Sequence, residues 1–392
     1  MLKVRPFRGV RFDPRRAPLP QSACPPYDVI PASLQKKLRA RPYNAIHLEL
    51  PAGQGAARYK AAAALWKRWL KDGVLARDER PAFYVVEQGF SIEGRSHKRL
   101  GVLTSLGLGG DSARRVLAHE RTLSKHKADR TKLISAMGVN VSPVFLVFAD
   151  PGRAVAKALQ AARRSAPIAK GKDAQGVLYT VWRLDDPKAV AGLSRAFAAR
   201  TLLIADGHHR YSVAREHWLK TRRAGSDGIL AYLCPEEDPG LVVYPTHRVL
   251  KLDSVVRGRL SAHCSARVVK DLPALEAALA KERSPYAFGL IDGEHLLMRP
   301  ARGDKGVASG FGTDWLAKRI LDGVDPHEIG FHHDAREAAR EARSSGRAAF
   351  ILKHFPVSAI RESVQRAGLL PQKSTYFIPK IGTGLVFRVL DE

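Results

Sequence analysis

Apolar and polar positions recur along the chain with the periods of both strands and helices. Two apolar runs, at residues 83–90 and 100–108, flank the turn-forming pair Glu93-Gly94, and together they predict a β-hairpin. Between residues 57 and 72 the apolar side chains instead recur at helical spacing, and Gly73 follows. That segment is predicted to be an amphipathic helix which ends at the glycine.

Two loops near the N-terminus combine proline with polar side chains. In the first, CPPYDVI, the adjacent prolines exclude regular structure and hold Asp28 on a stiffened loop. The second covers residues 42–51 and contains a short predicted strand that carries His47 and Glu49. Asp28 and His47 are therefore secondary candidates for a functional site.

The most informative pattern lies at residues 201–214, TLLIADGHHRYSVA. An apolar run ends at Asp206-Gly207, the polar residues His208, His209 and Arg210 follow, and a helical pattern begins there. A strand, a glycine turn and a helix start form an anion site in many α/β proteins, because free backbone N–H groups and the helix dipole converge at that point. The stretch predicts an active or ligand-binding site.

Helical and strand patterns alternate through the rest of the chain, which predicts an α/β to α+β fold with mixed β-sheets flanked by helices. A Gly/Lys-rich linker within residues 150–176 suggests a domain boundary. We expect an N-terminal α/β region at 1–150, a central region with the Asp-Gly-His-His-Arg loop at 151–252, and a C-terminal α/β region at 253–392.

Composition narrows the class of protein. The 392 residues are 45% hydrophobic, enough for a sizeable core, and 65 Lys and Arg against 38 Asp and Glu give a net charge of +27. Such a charge favours phosphate-bearing partners such as nucleotides or nucleic acid, although the basic residues are scattered, as biased codon usage would also leave them. Three widely spaced cysteines and the lack of an apolar leader or span predict a soluble, cytoplasmic protein without a membrane partner.

Familiar catalytic signatures are absent. His119-Glu120 and His327-Glu328 resemble half of a zincin motif, but Leu123 and Phe331 stand where its second histidine is needed. No dinucleotide fingerprint, P-loop or hydrolase nucleophile elbow occurs in the sequence. The candidate chemistry is therefore spread over several polar loops.

The central loop supplies the first candidates. Asp206 and His209 are the predicted catalytic residues, and Gly207, His208 and Arg210 the predicted phosphate ligands, because a guanidinium binds phosphate bidentately and an imidazole exchanges protons near neutral pH. A purely structural alternative is that Asp206 caps the helix, Gly207 forms the turn, and the two histidines are one surface and one core residue.

A second set of candidates comes from polar segments elsewhere. The hydroxyl and ammonium donors near the C-terminus suit phosphate, unless they form only an exposed turn; they are Lys373, Ser374, Thr375 and Lys380. The segment HERTLSKHKADR offers a second arm of the site, or else a solvated helix face with pairs such as Lys125–Asp129; its candidates are His119, Glu120, Lys125, Asp129 and Arg130. His247 and Arg248 complete the set, while Asp334 is predicted to cap a helix.

Seven strings resemble, in this order, the domain-of-unknown-function-1015 family of bacteria and archaea; they are PFRGVRF, CPPYDVI, NAIHLELP, HERTLSKHKADR, NVSPVF, ADGHHRYSVA and PQKSTYFIPK. The resemblance extends from about Arg5 to Gly384, almost the whole chain. The family has no settled function, and its members occur among serine-biosynthesis genes, so the resemblance implies a link to serine metabolism.

The Asp-Gly-His-His-Arg string is also similar to the phosphate loop of ParB/sulfiredoxin-like domains, including the ADP-dependent kinase of free serine. This likeness implies a ParB/sulfiredoxin-like central region. It also implies that Gly207, His208, His209 and Arg210 hold nucleotide phosphates, with Asp206 as a partner of Mg²⁺ or of a hydroxyl group.

Three functional hypotheses follow. The leading one is a phosphotransferase that uses ATP or ADP, with Mg²⁺, on a small hydroxylated metabolite such as free serine, or a nucleotide phosphohydrolase. A second is a regulator that binds nucleotide or nucleic acid without turnover. A third is a metal-dependent hydrolase built on His208, His209 and a carboxylate.

Overall fold

The computed structural model describes residues 1–92, 94–120 and 124–391, with only the backbone described at 124–126. The strands are β1 Val4–Arg5, β2 Val10–Phe12, β3 Leu75–Arg77, β4 Phe83–Ile92, β5 Arg95–Gly107, β6 Val116–Leu117, β7 Val139–Asn140, β8 Val144–Phe148, β9 Ala169–Lys172, β10 Leu178–Leu184, β11 Leu202–Asp206, β12 Gly228–Pro235, β13 Val242–Pro245, β14 His247–Leu250, β15 Cys264–Val269, β16 Phe288–Asp292, β17 Glu294–Pro300, β18 Gly330–His332, β19 Ala348–Leu352, β20 Thr375–Ile378 and β21 Arg388–Val389.

The helices are α1 Leu19–Ser22, α2 Ala32–Arg39, α3 Ile46–Glu49, α4 Ala57–Lys71, α5 Gly110–Arg114, α6 Ser124–Met137, α7 Ala154–Ala162, α8 Pro187–Phe197, α9 His208–Thr221, α10 Ser254–His263, α11 Leu272–Lys281, α12 Gly312–Arg319, α13 Ala335–Ser345 and α14 Val357–Ala367. Short 3₁₀ turns occupy Tyr27–Val29 and Pro326–Glu328. Within the described ranges, none of these helices is both long and apolar enough to cross a bilayer.

The chain divides into two units. Unit 1 comprises Met1–Leu117, Thr122–Leu241 and Pro379–Glu392, and unit 2 comprises Ala118–Arg121 and Val242–Ile378. The expected boundary near residue 252 lies close to this division, whereas the one near residue 150 lies within unit 1. The reason is that β12 pairs with both β5 and β8, so one sheet joins the segments on either side of residue 150.

The main sheet of unit 1 has the strand order β6-β11-β8-β12-β5-β4-β10-β9, and β1 adds to β5. The hairpin predicted about Glu93-Gly94 is its β4–β5 pair. Most neighbours are antiparallel, but β11 with β6 and β12 with β8 are parallel, so the sheet is mixed. The expectation of mixed sheets flanked by helices is confirmed.

Two apolar clusters stabilise unit 1. One packs α7, α8 and α9 against the main sheet, with Phe148, Phe197 and Ile204 among its buried members. The other lies beneath α2, α3 and α4 and includes Trp66 and Trp69. The first cluster fixes the end of β11 and the start of α9, while the second holds the proline-rich N-terminal loops.

The predicted strand at His47 and Glu49 is wrong, because residues 46–49 form helix α3. The alternation Ile-His-Leu-Glu resembles a strand, but a run of four residues does not distinguish the two periods. Asn44 decides the outcome: its side-chain oxygen accepts from the Ile46 backbone N–H at 3.0 Å, and its amide donates to the Ala23 carbonyl at 3.0 Å. The turn so formed buries both Ile46 and Leu48.

Unit 2 contains a sheet of strand order β15-β17-β16-β19-β14-β18 and a separate β13–β20 pair. Helices α11 and α13 pack on the sheet, against strand residues that include Leu297 and Ile351. A second apolar cluster of this unit surrounds Trp315. Helix α13 begins after Asp334, whose carboxylate accepts from the Arg336 backbone N–H at 2.7 Å, so the predicted cap is confirmed.

Candidate functional site

The turn between β11 and α9 has the predicted form. Strand β11 ends at Asp206, Gly207 takes a left-handed conformation with φ of 95°, and the helix begins at His208. The positive φ favours glycine at this position, and a Cβ atom would lie 3.1 Å from the Arg210 guanidinium, which would have to move slightly. Gly207 is the N-cap residue, and Asp206 therefore does not cap the helix as the structural alternative supposed.

Arg210 folds back beneath this turn instead of extending into solvent. Its side chain is 7% exposed; one terminal nitrogen donates to the carboxylate of Asp206 and the other to the Pro143 carbonyl. Its Nε is buried and has no hydrogen-bond partner among the residues that the structure describes. Arg210 thus anchors the carboxylate of Asp206 from within the protein.

Lys380 supplies a second cation to the same carboxylate. Its Nζ lies 2.8 Å from Asp206 Oδ1 and 2.6 Å from Asp28 Oδ2, and its side chain is 13% exposed. Burial opposes ionisation of Asp206, but Lys380 and Arg210 outweigh that effect and hold the pKa of this carboxyl well below its ordinary value. Asp206 is therefore a permanent anion between two cations.

The C-terminal segment of unit 1 places Lys380 in this position. The buried guanidinium of Arg99 donates to the Pro379 carbonyl, and the Gln88 amide donates to the Lys380 carbonyl at 3.2 Å. A little further on, Cys24 and Thr383 exchange two backbone hydrogen bonds, at 3.0 and 2.7 Å. These contacts join the chain end to the loop that carries Asp28.

A second cluster of polar residues in unit 1 surrounds Glu49, which is fully buried. Its Oε1 accepts from the Tyr27 backbone N–H at 3.2 Å and from the Ser142 hydroxyl at 3.0 Å. Arg130 donates to the Glu49 carbonyl at 2.9 Å, binds Asp129 through its other nitrogens, and lies 4.3 Å from the centre of the Tyr27 ring.

Sequence reasoning selected Asp129 and Arg130 but missed Glu49. The signal that could have identified it is a carboxylate within the apolar string NAIHLELP, because a buried acid needs dedicated partners. The proposed Lys125–Asp129 pair involves a side chain that lies outside the described part of the chain. Asp129 itself binds Arg58 and accepts from the Tyr59 hydroxyl at 2.7 Å.

The other candidates of unit 1 have distinct surroundings. His208 is buried, and its charge adds to the effects that lower the pKa of Asp206, while His209 is half-buried in the first turn of α9. His47 is half-buried beside the second apolar cluster: its Nε2 is 2.9 Å from the Arg41 carbonyl, and its ring meets Trp69 edge-on.

The donor set does not favour Mg²⁺ at Asp206. Both of its carboxylate oxygens already accept from cationic side chains, and a metal would have to displace one of them. Among the residues that the structure describes, no group of three or more His, Cys, Asp or Glu side chains is arranged to hold a metal ion. His208 and His209 are consecutive in a helix, so their side chains leave the axis about 100° apart, which does not suit a shared metal.

Unit 2 brings together another part of the predicted set. His119 is 1% exposed, and its Nε2 lies 2.9 Å from the Thr375 hydroxyl, with Glu120 beside it. The buried Ser374 hydroxyl accepts from Thr313 at 3.0 Å and donates to the Pro371 carbonyl at 2.6 Å.

Lys373 precedes these hydroxyl groups in a left-handed conformation with φ of 53°, which is costly for a residue with a side chain. Its exposed ammonium lies 4.4 Å from the centre of the Phe331 ring. Arg153 and Arg222 share this conformation, so it does not single out a site, and the phosphate-binding role of the Lys373–Thr375 turn stays a prediction.

His247 and Arg248 are buried in β14 of the same unit. Burial, together with the neighbouring His354 and Arg248, lowers the pKa of His247 to about 3, and its Nδ1 accepts from the Leu352 backbone N–H at 3.0 Å. Burial also lowers the pKa of Arg248 to about 10, although Glu120 opposes the shift. His247 is thus a neutral acceptor, and Arg248 a buried cation beside Phe331.

A family model described as a protein of unknown function (DUF1015) matches residues 4–321. No curated protein matches the sequence. Among solved structures, the chain is similar to a free serine kinase in complex with AMP, at 17% identity and a TM-score of 0.40 over 71% of this chain and 87% of that one. It is also similar to a conserved hypothetical protein from Pyrococcus furiosus, at 19% identity and a TM-score of 0.38 over 72% and 92% of the two chains. A third likeness is to SbnI with a C-terminal truncation from Staphylococcus aureus, at 10% identity and a TM-score of 0.41 over 71% and 84%.

Proposed function

We propose that this chain, which belongs to the DUF1015 family, binds the phosphates of a nucleotide at the start of α9 and transfers a phosphoryl group to a small hydroxylated metabolite. The observation that carries the proposal is the turn formed by Asp206, Gly207 and His208. The first N–H groups of a helix have no partner within it, and the helix dipole places partial positive charge at the same point. Phosphate groups bind to such helix starts in many nucleotide-binding proteins.

The charges around the turn support this role. Arg210 and Lys380 hold the carboxylate of Asp206 in place, so the turn needs no rearrangement during a reaction. The net charge of +27 adds a long-range attraction for a nucleotide. Lys373, Ser374 and Thr375 of unit 2 form a second candidate phosphate-binding segment.

Phosphoryl transfer depends mostly on positioning and on charge stabilisation, and little on a strong base. Asp206 fits that requirement. A carboxylate whose pKa is held low accepts a hydrogen bond from the attacking hydroxyl and orients that group, but the carboxylate itself does not become protonated. His209, half-buried in the first turn, is the second predicted catalytic residue. Since both oxygens of Asp206 are already paired, no step is assigned to Mg²⁺ at this residue.

The test is to incubate the purified full-length protein with ATP or ADP and L-serine, and to follow phosphoserine and phosphate release. We expect turnover that falls at least about tenfold in Arg210→Ala, since the carboxylate and the turn lose their anchor. Lys220→Ala removes an exposed cation near the far end of α9 and serves as the matched control, with no change expected. Absence of turnover with either nucleotide, or an equal effect of both variants, would contradict the proposal.

The net charge favours a second candidate function, a regulator that binds nucleic acid or nucleotide without turnover. Binding that depends on released counterions weakens steeply as salt rises. The test is to measure DNA affinity by fluorescence anisotropy at increasing salt. An affinity that falls steeply with salt, together with no phosphoserine formation, would identify the protein as such a regulator.

A further inference from the structure

A pocket of about 190 Å³ lies in unit 1, beyond the ends of two adjacent parallel strands, β8 and β12. Pro235, at the end of β12, and Asp150, which follows β8, both line it. Asp206 pairs instead with Phe145, near the start of β8, so the turn before α9 lies at the opposite end of this strand. In open α/β sheets, ligands bind outside the carboxyl ends of the strands. The pocket is therefore a candidate for a second, separate site.

Charged side chains of both signs line the pocket, and some of them neutralise one another. Glu87 Oε2 lies 2.9 Å from Arg163 Nη2. The buried Asp150 has its Oδ1 2.9 Å from Arg200 Nη2. Among the residues that the structure describes, the other charged groups of the wall make no ion pair; they are the carboxylates of Glu237 and Asp238 and the cations of Lys98 and Arg153. Two groups of each sign are thus available to a ligand.

Asp238 is held in place on this wall by backbone groups. Its Oδ1 accepts from the Gly240 N–H at 2.9 Å, and its Oδ2 accepts from the Leu100 N–H at 3.2 Å. Gly240 packs directly against β5, where a Cβ atom would lie 2.2 Å from the Lys98 carbonyl oxygen. Burial raises the pKa of Asp238, although the two backbone N–H groups and the nearby Arg99 oppose the shift. The position of this carboxylate is therefore fixed before any ligand binds.

The neighbouring Glu237 is attached to the other strand end. Both of its carboxylate oxygens lie 2.9 Å from the Asp150 backbone nitrogen. Asp150 Oδ2 in turn accepts from the Ala156 N–H at 2.9 Å, in the first turn of α7. The start of α7 thus already has an anionic partner from the protein itself, so the pocket is not a phosphate site like the one proposed at α9.

The two available cations lie on exposed side chains. Lys98 belongs to β5, and Arg153 immediately precedes α7. Much of the remaining wall is apolar; its members are Leu100, Ala156, Leu159, Pro235 and Pro239. The pocket therefore combines a fixed, half-buried carboxylate, an exposed one, two exposed cations and an aliphatic surface.

These groups specify a ligand that carries both signs of charge. An amine alone satisfies only the two carboxylates, and an acid alone satisfies only the two cations. A molecule with one ammonium and one carboxylate group satisfies both sets through charge-assisted hydrogen bonds and adds no net charge. The volume of about 190 Å³ equals the share of roughly six water molecules in the liquid, at about 30 Å³ each, which is enough for a small amino acid.

We propose that this pocket binds a small α-amino acid, whose ammonium group donates to the carboxylates of Glu237 and Asp238. The carboxylate of the ligand accepts from Lys98 and Arg153, and its side chain packs against the aliphatic wall. The inference goes beyond the proposed function, since the pocket shares no lining residue with the turn formed by Asp206, Gly207 and His208.

The test compares L-2-aminobutyrate with butyrate and n-propylamine, which lack its ammonium and its carboxylate group respectively. None of the three has a hydroxyl group, so binding is measured without the turnover proposed above. Each is titrated into the full-length protein at low salt by isothermal titration calorimetry. We expect an apparent Kd for L-2-aminobutyrate at least about tenfold below those of the other two. Absence of L-2-aminobutyrate binding, or equal affinity for one of the singly charged compounds, would overturn the inference.

Arg153→Asn tests the positive side of the pocket. Asparagine tolerates the left-handed backbone that this position has, with φ of 53°. We expect the Kd values of L-2-aminobutyrate and butyrate to rise at least about threefold, while that of n-propylamine stays unchanged. Arg222→Asn is the matched control, because Arg222 is also exposed and left-handed, with φ of 50°, but lies at the end of α9. An equal effect of the two variants would contradict the assignment.

Asp238→Asn tests the negative side. It removes the charge but keeps an acceptor for one of the two backbone N–H groups. We expect L-2-aminobutyrate and n-propylamine to bind at least about tenfold more weakly, and butyrate to bind no more weakly than before. Asp227→Asn, at a half-buried carboxylate 2.9 Å from Arg5, is the matched control and should change none of the three.

The two pocket variants must have opposite selectivity. If Asp238→Asn weakens butyrate as strongly as n-propylamine, or leaves all three affinities unchanged, the proposed contacts are wrong. Should Asp238→Asn fail to fold, Arg153→Asn decides the question alone, because its side chain is exposed and makes no ion pair among the described residues.

Discussion

Asp206 in unit 1 and His247 in unit 2 are both buried titratable groups, yet they exist in opposite charge states. Asp206 lies between two cations and stays ionised. His247 lies among further cationic groups, Arg248 and His354, and stays neutral. Burial penalises the charged form of both side chains, and the sign of the neighbouring charge decides the result.

The difference gives the two units different chemical properties. Unit 1 holds fixed, mutually compensated charges next to the start of α9. Unit 2 keeps a neutral acceptor in its core, and its Lys373 is exposed beside an aromatic ring. Buried charge in unit 1 is consequently expected to be a large contributor to stability, and surface charge in unit 2 a small one.

Lys380→Met tests that expectation most directly. The variant removes one of the two cations that compensate the buried Asp206, and breaking such a pair typically costs about 3–5 kcal/mol. We expect a loss of about 3 kcal/mol in the free energy of unfolding, measured by urea denaturation at neutral pH.

Lys373→Met is the matched control in unit 2. Its ammonium is exposed and interacts with the Phe331 ring, a contact worth about 0.5–1 kcal/mol. We expect a loss of less than about 1 kcal/mol. Equal losses in the two lysine variants would mean that the pairing of Lys380 does not stabilise unit 1 as described.

The pH dependence of stability should also separate the two groups. The folded pKa of His247 is lowered from 6.5 to about 3, so the unfolded chain binds more protons between these values and stability falls as the pH decreases through that window. The shift corresponds to roughly 3–5 kcal/mol. The pKa of Asp206 is lowered from 3.8, so its contribution is complete above that pH and is lost only in stronger acid.

His247→Asn removes the titrating group but keeps an acceptor for the Leu352 N–H. Unfolding free energies measured between pH 7 and pH 4 should therefore decline less in this variant than in the natural protein. Parallel declines would show that His247 is not the group that makes the fold sensitive to mild acid.

Gly207→Ala is expected to destabilise the protein less than Lys380→Met does. Left-handed backbone at a residue with a side chain costs about 1–3 kcal/mol, and the added methyl group would also meet the Arg210 guanidinium at 3.1 Å. We expect about 2 kcal/mol of destabilisation and weaker ADP binding in isothermal titration calorimetry.

Gly192→Ala provides the comparison for that variant. Gly192 lies within α8, and an added Cβ meets no atom within 4 Å. Alanine is preferred over glycine inside a helix by about 0.5–1 kcal/mol, so this change should stabilise the protein and leave ADP binding intact. If Gly192→Ala also destabilised the protein, the effect of Gly207→Ala could not be attributed to the turn.

How much of the fold and of the candidate site could be predicted from the sequence depended on how far apart along the chain the contacting residues lie. The turn at Gly207 was predictable because an apolar run, a glycine and a helical pattern lie within one short stretch. The helix at Ile46–Glu49 was not, since four residues carry too little periodicity and the Asn44 contacts that settle it are partly with Ala23.

The electrostatics of the site were still less accessible. Lys380 was selected as a hydrogen-bond donor to phosphate, but its contacts with the carboxylates of Asp28 and Asp206 depend on tertiary structure. The unpaired Oε2 of Glu49 is likewise visible only when its neighbours are in place. Charge state is a property of three-dimensional surroundings, and residue types alone do not determine it.

The segment that carries Lys380 has a consequence for biosynthesis. Its hydrogen bond to Asp28 joins residues 352 positions apart, and ribosomes release a chain from the N-terminus onwards. The two carboxylates therefore have no ammonium partner until Lys380 has left the ribosome. A chain that ends before Lys380 would lack one of the two cations that compensate the buried Asp206.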